Sequence, residues 1–438
     1  MTQCNQLSLG FEGRREVQLQ FDAEHTTGDA GVLLLNRLDR NLKLTDRLAA
    51  AIHDPRSSVL ITHALKTLLQ QRVFQIAQGW EDCDDADFLR TDPAFKAACE
   101  RGPLGLDLAS QPTLSRIENM VTAKDLEAMR QALLDSYLSR QPKRRRKIVL
   151  DSDVTNTDTH GHQQLSFFNG YYHHTCLTPL MLFDGVGGDL LAVMLRAGNA
   201  GTGEGVVSLL EWLIPQLRAK WPKAKILVRL DAGFAWPSVF AFCDEWRLDY
   251  LIAMKGNANL NKMAAGDLEW AKSLGKQRNE QCQVFGCGTY RSSGWEKARR
   301  VIWKAESGPL VTDLRFVVTN ILGSSRDLYR LYCQRGESEN WIKAFKIALH
   351  GDRMSCIRAT ANQFRLLLHA AAYHLMLALR RHLAGTIAEN WQFDTLRLRL
   401  LKVGGWVKQS ARRTVWHLAS SHPHKNLWAL LVAKLVPG

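Results

Sequence analysis

Apolar side chains recur at helical spacing through the first 140 residues of the chain. Between residues 59 and 76 they return at intervals close to one turn, at Leu60, Ala64, Leu65, Leu68 and Val73. This period matches the α-helix, so the segment is predicted to form one amphipathic helix. Residues 84–99 and 123–138 show the same spacing. We therefore predict a helical N-terminal domain over residues 1–140.

The pattern changes to strands from residue 147 onwards. Short apolar runs bounded by turn residues lie at 148–150, 171–183, 190–195, 224–230 and 250–254. Runs of this length are typical of buried strands. Helical patterns at 205–221 and 237–246 separate the last of them. Three consecutive strands followed by strand–helix alternation predict an α/β fold with a mixed sheet.

The remainder of the chain divides into three parts. Residues 283–321 are rich in β-formers, with turns at 292–294 and 307–309, and we interpret them as an insertion into the α/β core. Residues 327–349 and 360–383 have the length and spacing of long helices. The last stretch, 395–438, is basic and places tryptophans among its cations, at Trp406, Trp416 and Trp428.

The overall charge narrows the choice of partner. Lys and Arg number 57 against 43 Asp and Glu, a net charge of +14. Such a balance favours a polyanionic partner, most often nucleic acid, although a merely basic soluble protein has the same balance. Five consecutive cations, Lys143, Arg144, Arg145, Arg146 and Lys147, form either a solvated linker or a phosphate contact, and mark a domain boundary in both cases.

Cysteine usage and hydropathy predict a cytoplasmic protein. Nine cysteines are scattered without a Cys-x-x-Cys pair, which disfavours a structural zinc site and fits free thiols in a reducing compartment. The first residues lack the pattern of a signal peptide. The longest apolar stretch, 366–379, is interrupted by His369 and His374 and is too short to cross a bilayer.

One short segment of the helical domain has two interpretations. Residues 110–116 place Thr113, Ser115 and Arg116 at the predicted start of a helix. A polar turn before such residues is what a helix-turn-helix motif presents to DNA. An ordinary helix start with Pro112 at its first position explains the same pattern. The sequence leaves both open.

Acidic residues follow two of the predicted core strands. Asp231 comes directly after the apolar run 226–230, and Ala232-Gly233 ends the strand behind it. Ligand sites in α/β sheets lie at such strand ends. Asp151 and Asp153 follow the first strand, two positions apart, so both face the same way and spacing cannot choose between them. Asp158 and Asp184 are interpreted as loop acids.

A polar stripe runs along the helix predicted over 327–349. At about 100° per residue, four side chains fall within roughly 60° of one another, and they are Tyr332, Arg335, Glu339 and Lys346. Glu337 is rotated away from them. A carboxylate flanked by cations suits a metal ligand beside a bound phosphate. A solvated helix face with incidental ion pairs has the same pattern.

The spacing Tyr-x2-Arg-x3-Glu-x6-Lys resembles the signature of a large branch of bacterial insertion-sequence transposases, the cut-and-paste DDE enzymes. Asp153-Val154-Thr155 is similar to the Asp-x-Thr that ends that family's first core strand, and Leu230-Asp231 to its second. The resemblance implies a metal-binding catalytic triad of Asp153, Asp231 and Glu339, with Asp151 as the alternative first ligand. It implies two Mg²⁺ ions, for which Mn²⁺ can substitute. Tyr332, Arg335 and Lys346 would contact the DNA backbone.

The same resemblance implies an architecture and partners. The α/β core would be ribonuclease-H-like, in two parts at 145–275 and 324–390, around a β-rich insertion at 276–323. Residues 1–140 would bind DNA, and a basic C-terminal region would cover 391–438. The partners would be the inverted-repeat ends of a transposon and a target DNA, held by a homodimer in a synaptic complex, in a bacterial cell.

Two other functions fit parts of the sequence. A catalytically inactive DNA-binding relative would share these patterns but would be expected to lose an acid, and all three acids are present. A metallo-phosphoesterase would use a cluster of His and Asp near the first strand, formed from His160, His162, His173 and His174. His160 and His162 lie in a glycine-containing turn, which disfavours that cluster.

Overall fold

The computed structural model describes residues 7–9, 17–57 and 59–436. Its first part holds short strands and helices, which are β1 (Leu7–Leu9), β2 (Val17–Leu19), β3 (Thr26–Thr27), α1 (Val32–Leu42), α2 (Leu44–Ala51), α3 (Leu65–Gln78), α4 (Ala86–Leu89), α5 (Pro93–Ala98), α6 (Gln111–Met120) and α7 (Ala123–Arg140). The helical N-terminal pattern thus has its counterpart in the structure, with different boundaries.

The middle of the chain alternates strands and helices. Its elements are β4 (Lys147–Val154), β5 (Thr157–Asp158), β6 (Phe167–Asn169), β7 (His174–Leu177), β8 (Leu180–Asp184), β9 (Leu190–Met194), α8 (Val206–Lys220), β10 (Lys225–Leu230), α9 (Pro237–Glu245), β11 (Asp249–Met254), α10 (Ala258–Met263) and α11 (Ala265–Arg278). A 3₁₀ turn, Ala232–Phe234, follows β10. The helices predicted at 205–221 and 237–246 are confirmed.

The last part begins with three strands and ends in a helix. Its elements are β12 (Cys282–Tyr290), β13 (Arg299–Ser307), β14 (Thr312–Thr319), α12 (Ser325–Cys333), α13 (Glu337–Lys343), α14 (Ala359–His382), α15 (Phe393–Leu396), β15 (Gly405–Gln409), β16 (Thr414–Leu418) and α16 (Lys425–Leu435). A 3₁₀ turn, Gln334–Gly336, joins α12 to α13, and a π-helical turn, Ala344–Ala348, follows α13.

The chain divides into two compact units, residues 118–374 and residues 1–117 with 375–438. In the first of these, the described strands form a mixed sheet in the order β12-β13-β14-β11-β10-β4-β8-β9. Strand β10 runs parallel to both β4 and β11, and the other neighbouring pairs are antiparallel. A smaller sheet in the same unit has the order β5-β7-β6. This is a mixed α/β architecture.

Helix α8 supplies much of the apolar contact on one face of the main sheet. Its residues Leu209, Leu213 and Leu217 are fully or almost fully buried in one cluster with Ile148 of β4 and Val228 of β10. The spacing of four between these leucines places them on one helix face, as the sequence pattern requires. Burial of such side chains is what holds strands β4 and β10 in place.

The other unit combines helices with two small sheets. Helix α1 buries Leu35 and Leu38 completely. The Nδ2 of Asn41 donates to the carbonyl oxygen of Leu435 at 3.1 Å, which joins α1 to α16. Strands β16, β15 and β3 form one sheet in that order, and β1 and β2 form the other. Across the described residues of the whole chain, no helix is both long enough and apolar enough to span a membrane.

Three predicted elements were wrong in extent, each for a local reason. The helix predicted at 59–76 begins only at Leu65, after exposed, partly β-branched residues that disfavour helix. The helix predicted at 84–99 is split into α4 and α5, because Pro93 starts a new helix capped by Asp92. The strand predicted at 171–183 is split into β7 and β8 around Pro179, which cannot donate to the ladder.

We expect Gly198→Ala to destabilise the unit that contains it. A Cβ at this position would lie 2.0 Å from the carbonyl oxygen of Cys176 and 2.4 Å from that of Phe167, so backbone atoms must move. Overpacking of this kind costs about 1–3 kcal/mol. The free energy of unfolding, measured with urea, should fall by that amount. The matched control is Gly266→Ala, since a Cβ there has no heavy atom within 4 Å, and a stability equally reduced in both variants would contradict the argument.

Candidate active site

Two carboxylates meet at one edge of the main sheet. Asp153 lies near the end of β4, and Asp231 follows the last residue of β10. The two strands are parallel neighbours, with Arg229 opposite Asp151, so their carboxyl ends emerge side by side. Asp231 also accepts a hydrogen bond at 2.8 Å from the backbone N–H of Gly233, which fixes its side chain at the start of the 3₁₀ turn.

A cavity of about 780 Å³ opens at this sheet edge and is lined by the two aspartates and the helix beyond them. Tyr332, Arg335 and Glu339 line it from α12, the following 3₁₀ turn and α13. Glu337 is exposed and is not part of the lining. The structure therefore brings Asp153, Asp231 and Glu339 to one cavity from three distant segments of the chain.

Arg335 lies between the two aspartates. Its Nη2 donates to Oδ2 of Asp153 at 2.7 Å and lies 3.8 Å from Oδ2 of Asp231. The residue is 8% exposed, so this cation is largely withdrawn from water. Burial opposes its charge, but Asp153, Tyr332 and Asp231 together outweigh that effect and raise the pKa of Arg335. Arg335 neutralises the acids rather than extending into solvent.

Asp153 lies close to two other acids despite that cation. Burial raises the pKa of Asp153 to about 6. Arg335 opposes this rise, while repulsion from Asp231 and Glu339 adds to it. A cationic ligand placed among the three carboxylates would relieve this repulsion.

Asp151 is committed to a different partner. Both of its oxygens accept hydrogen bonds from Arg229, from Nε at 2.7 Å and from Nη2 at 2.6 Å. Asp151 is fully buried and Arg229 is 1% exposed. The same guanidinium donates to the carbonyl oxygens of Leu331 and Gly185. Asp151 does not line the cavity, so of the two acids on β4 only Asp153 faces it.

Lys346 does not reach the cavity that the other three stripe residues line. Its Nζ lies 3.1 Å from Oδ1 of Asn156 and 4.0 Å from Oδ2 of Asp352. The prediction of a single stripe assumed a regular α-helix, whereas the chain passes through a 3₁₀ turn and then a π-helical turn before this residue. A π turn rotates by a smaller angle per residue than an α-helix, so the side chain of Lys346 does not lie on the helix face that carries Glu339.

Of the two interpretations of residues 110–116, the structure matches the ordinary helix start. A helix-turn-helix motif needs a turn of about 3–4 residues between two helices, but residues 99–110 separate α5 from α6. Pro112 lies in the first turn of α6, as in an ordinary helix start. Of the three residues proposed to face DNA, Arg116 is exposed, whereas Thr113 and Ser115 are half-buried.

The basic run before β4 is not uniformly solvated. Lys143, Arg144 and Arg146 are exposed. Arg145 instead donates to both oxygens of Asp184, from Nη1 and from Nη2 at 2.7 Å each. Asp184, interpreted as a loop acid, is the buried last residue of β8. The interpretation of Arg145 as a solvated or phosphate-binding cation was therefore wrong.

The histidines near the first strand do not form a metal cluster. His160, His162 and His173 are exposed. The Nε2 of His174 lies 2.8 Å from Oδ1 of the exposed Asp158. Throughout residues 7–9, 17–57 and 59–436, no three or more His, Cys, Asp or Glu side chains are gathered closely enough to hold a metal ion. At the acid cavity, the guanidinium of Arg335 occupies the space between two of the carboxylates.

The structure adds cavity residues that the sequence patterns did not single out. They are Tyr172, Arg196 and Lys255. Arg196 is 6% exposed and donates to the carbonyl oxygens of Thr178, Gly201, Thr202 and Glu204, which fixes the loop after β9. Burial lowers its pKa to about 10. The sequence signal for Arg196 was a single arginine close to the end of an apolar strand. Arg229, a single arginine within the apolar strand β10, gave a signal of the same kind.

Comparison with known proteins places the chain among the DDE transposases. It belongs to the family Transposase DDE domain group 1, whose sequence model matches residues 10–437. This is a family of enzymes that cut DNA and transfer its strands, so the resemblance given by the Tyr-Arg-Glu-Lys spacing is confirmed at that level. DNA is accordingly the partner of the protein.

Two further comparisons accompany this assignment. No curated protein matches the sequence. Among solved structures, the chain is similar to the cryo-EM structure of the piggyBac transposase synaptic complex with hairpin DNA, at 10% identity and a TM-score of 0.46. The similarity covers 86% of this chain and 80% of the other.

We expect Asp151→Asn to destabilise the fold strongly. The substitution leaves the buried guanidinium of Arg229 without its counter-charge, and breaking a buried ion pair costs about 3–5 kcal/mol. The matched control is Asp231→Asn, whose half-exposed side chain keeps an oxygen to accept from Gly233. That variant should remain within about 1 kcal/mol of the wild type. Chemical denaturation of both measures the difference, and equal stabilities would refute a structural role for Asp151.

Proposed function

We propose that this protein cuts the ends of a transposon and joins them to target DNA by metal-dependent phosphoryl transfer, with Asp153, Asp231 and Glu339 as its catalytic acids. The observation that carries the proposal is their convergence on one cavity. Strand order supports a ribonuclease-H-like core, because β9, β8 and β4 are antiparallel neighbours and β10 and β11 continue in parallel.

The donor set fits divalent magnesium. Carboxylate oxygens are the ligands that Mg²⁺ prefers, and Mn²⁺ accepts the same set. Burial raises the pKa of Asp153, and repulsion from Asp231 and Glu339, which a cation would relieve, adds to that rise. Asp153, Asp231 and Glu339 would hold two ions, once Arg335 leaves the space between the aspartates. Bound there, the ions would polarise the attacking and leaving oxygens of an in-line displacement.

The remaining groups of the cavity would position DNA. Arg335 and the exposed Lys255 present cations next to the acids, so a phosphate of the cleaved strand would find donors on the cavity wall. The hydroxyl of Tyr332 would contact the same strand. Lys346 would contact the backbone further along, beside Asn156. Arg116, Lys143, Arg144 and Arg146 are exposed cations that would add phosphate contacts.

Two DNA ends must be held together before strand transfer, so we infer that the active form is a homodimer in a synaptic complex. Cleavage at each end would use the acids of one chain. Water is the nucleophile of the first displacement, and the freed 3′-hydroxyl is the nucleophile of the second. The chain supplies orientation and charge neutralisation in both steps, and it forms no covalent bond to the DNA.

We expect Asp231→Asn and Glu339→Gln to abolish strand cleavage and leave DNA binding largely intact. Each change keeps the size of the side chain and removes one negative charge from the cavity, so ion binding fails while the cationic surface is preserved. Cleavage of a labelled duplex carrying the element's end and gel-shift affinity for that duplex measure the two effects.

A matched control keeps the charge change but moves it away from the cavity. Glu337→Gln alters an exposed acid two positions from Glu339 that does not line the cavity, and it should cleave like the wild type. Full cleavage by either cavity variant would refute the triad. Loss of cleavage in Glu337→Gln would show that Glu339 was wrongly chosen.

We expect the double substitution His160→Ala and His162→Ala to retain cleavage within about three-fold of wild type, because exposed side chains in a turn contribute little to the fold. The bound metal of the purified variant is measured by metal analysis. Loss of both activity and bound metal would show that the histidines hold the metal, and it would overturn the carboxylate assignment.

A further inference from the structure

The strands β15 and β16 form a hairpin, residues 405–418, which we call the basic hairpin. Strand β15 pairs with β16 on one side and with β3 on the other, so the hairpin is anchored along one edge. Its inner face carries Val407, which is 1% exposed. Its outer face carries Trp406 and Lys408, both exposed. A charged, aromatic face is therefore held outward on a fixed strand.

The positive charge of residues 395–438 is not balanced by acids within that stretch. From residue 395 to residue 438 the chain has eight Lys and Arg residues and no Asp or Glu. Part of that charge is used inside the unit: Lys402 pairs with Asp29 at 2.6 Å, Arg397 with Asp394 at 3.3 Å, and Lys434 donates to the carbonyl oxygen of His382. Those cations are not available to a partner.

The cations of the basic hairpin are different. Lys408, Arg412 and Arg413 are exposed, and within the described part of the chain no acidic side chain lies within 4.0 Å of them. Their positive charge is directed to solvent without a partner. Unpaired arginines at the tip of a two-stranded ribbon are suited to phosphate oxygens, which they bind through two parallel hydrogen bonds.

The tip is held in one conformation. The N–H of Ser410 donates to the carbonyl oxygen of Arg413 at 2.8 Å, and the N–H of Arg413 donates to Oγ of Ser410 at 3.2 Å. Across the strands, the rings of Trp406 and His417 stack with centroids 4.0 Å apart and planes at 12°. These contacts hold the four-residue loop and the strands beneath it. Little backbone conformational entropy is then lost when the tip binds a ligand.

We propose that the basic hairpin binds the backbone of double-stranded DNA, as a contact separate from the acid cavity. A two-stranded ribbon is narrow enough to enter the major groove, where its tip would reach the phosphates of the groove walls. The excess of cations over 44 residues provides the charge complementarity. The inference takes DNA as the partner from the proposed function, and it concerns affinity rather than cleavage.

The test measures binding of a short duplex of random sequence by fluorescence anisotropy, in EDTA and over a series of salt concentrations. Arg412→Gln with Arg413→Gln should weaken binding on the order of ten-fold at moderate salt, because two phosphate contacts are lost. The slope of log affinity against log salt should become shallower by about two. The matched control is Lys276→Gln with Arg278→Gln, which removes the same charge from exposed positions in the last turn of α11.

The outcomes separate the inference from its rivals. An equal loss of affinity in both double variants would show that only net charge matters and would overturn it. Unchanged DNA affinity in the hairpin variant would also overturn the inference. If that variant instead lost binding to vesicles containing phosphatidylglycerol while it kept its DNA affinity, the partner of the hairpin would be a membrane surface and the inference would be overturned. A wild-type chain that binds duplex through the hairpin but cuts no transposon end would overturn the proposed function and leave this inference standing.

Discussion

The buried guanidinium of Arg229 holds together the elements that line the cavity with Asp153, Asp231 and Glu339. It binds Asp151 across neighbouring strands, Gly185 in the turn between β8 and β9, and Leu331 near the end of α12. Those contacts fix both the strand ends that carry the aspartates and α12, which leads into the 3₁₀ turn that carries Arg335. A Cβ on Gly185 would lie 2.5 Å from Oδ2 of Asp151, so this approach also depends on glycine. Either charge alone would be strongly unfavourable at such burial, so Arg229 and Asp151 each depend on the other to stabilise this part of the fold.

The cavity and its support divide the charged residues into two kinds. Behind the sheet edge, Arg229 and Asp151 form an ion pair that is buried from solvent. At the edge, Arg335 serves two aspartates, and burial raises the pKa of Asp153, with a further contribution from repulsion by Asp231 and Glu339. A paired buried charge stabilises geometry, whereas an unbalanced cluster favours a ligand of opposite charge. The same distinction separates Arg145, paired with Asp184, from the unpaired arginines of the basic hairpin.

The sequence alone predicted the features that depend on local periodicity. Strand ends at Asp153 and Asp231 and the helices α8 and α9 follow from short apolar patterns, and the Glu339 face was chosen correctly against Glu337 as the one that lines the cavity. The choice between Asp151 and Asp153 needed a partner 78 residues away, which no spacing rule contains. Lys346 was misplaced because a regular helix was assumed where the chain changes to 3₁₀ and π turns. The element boundaries at Pro93 and Pro179 were missed because the hydrophobic pattern continues past both prolines.

The chain order of the cavity residues has a consequence for the cell that makes the protein. Strand β4 is synthesised first, β10 follows, and the helix with Glu339 comes only after β12, β13 and β14 have been added to the sheet. A nascent or prematurely terminated chain that stops before residue 339 therefore contains two of the acids but not the third. Non-local pairing of this kind also forms late in folding. On the proposed function, an incomplete product of translation would therefore lack the activity that cuts DNA.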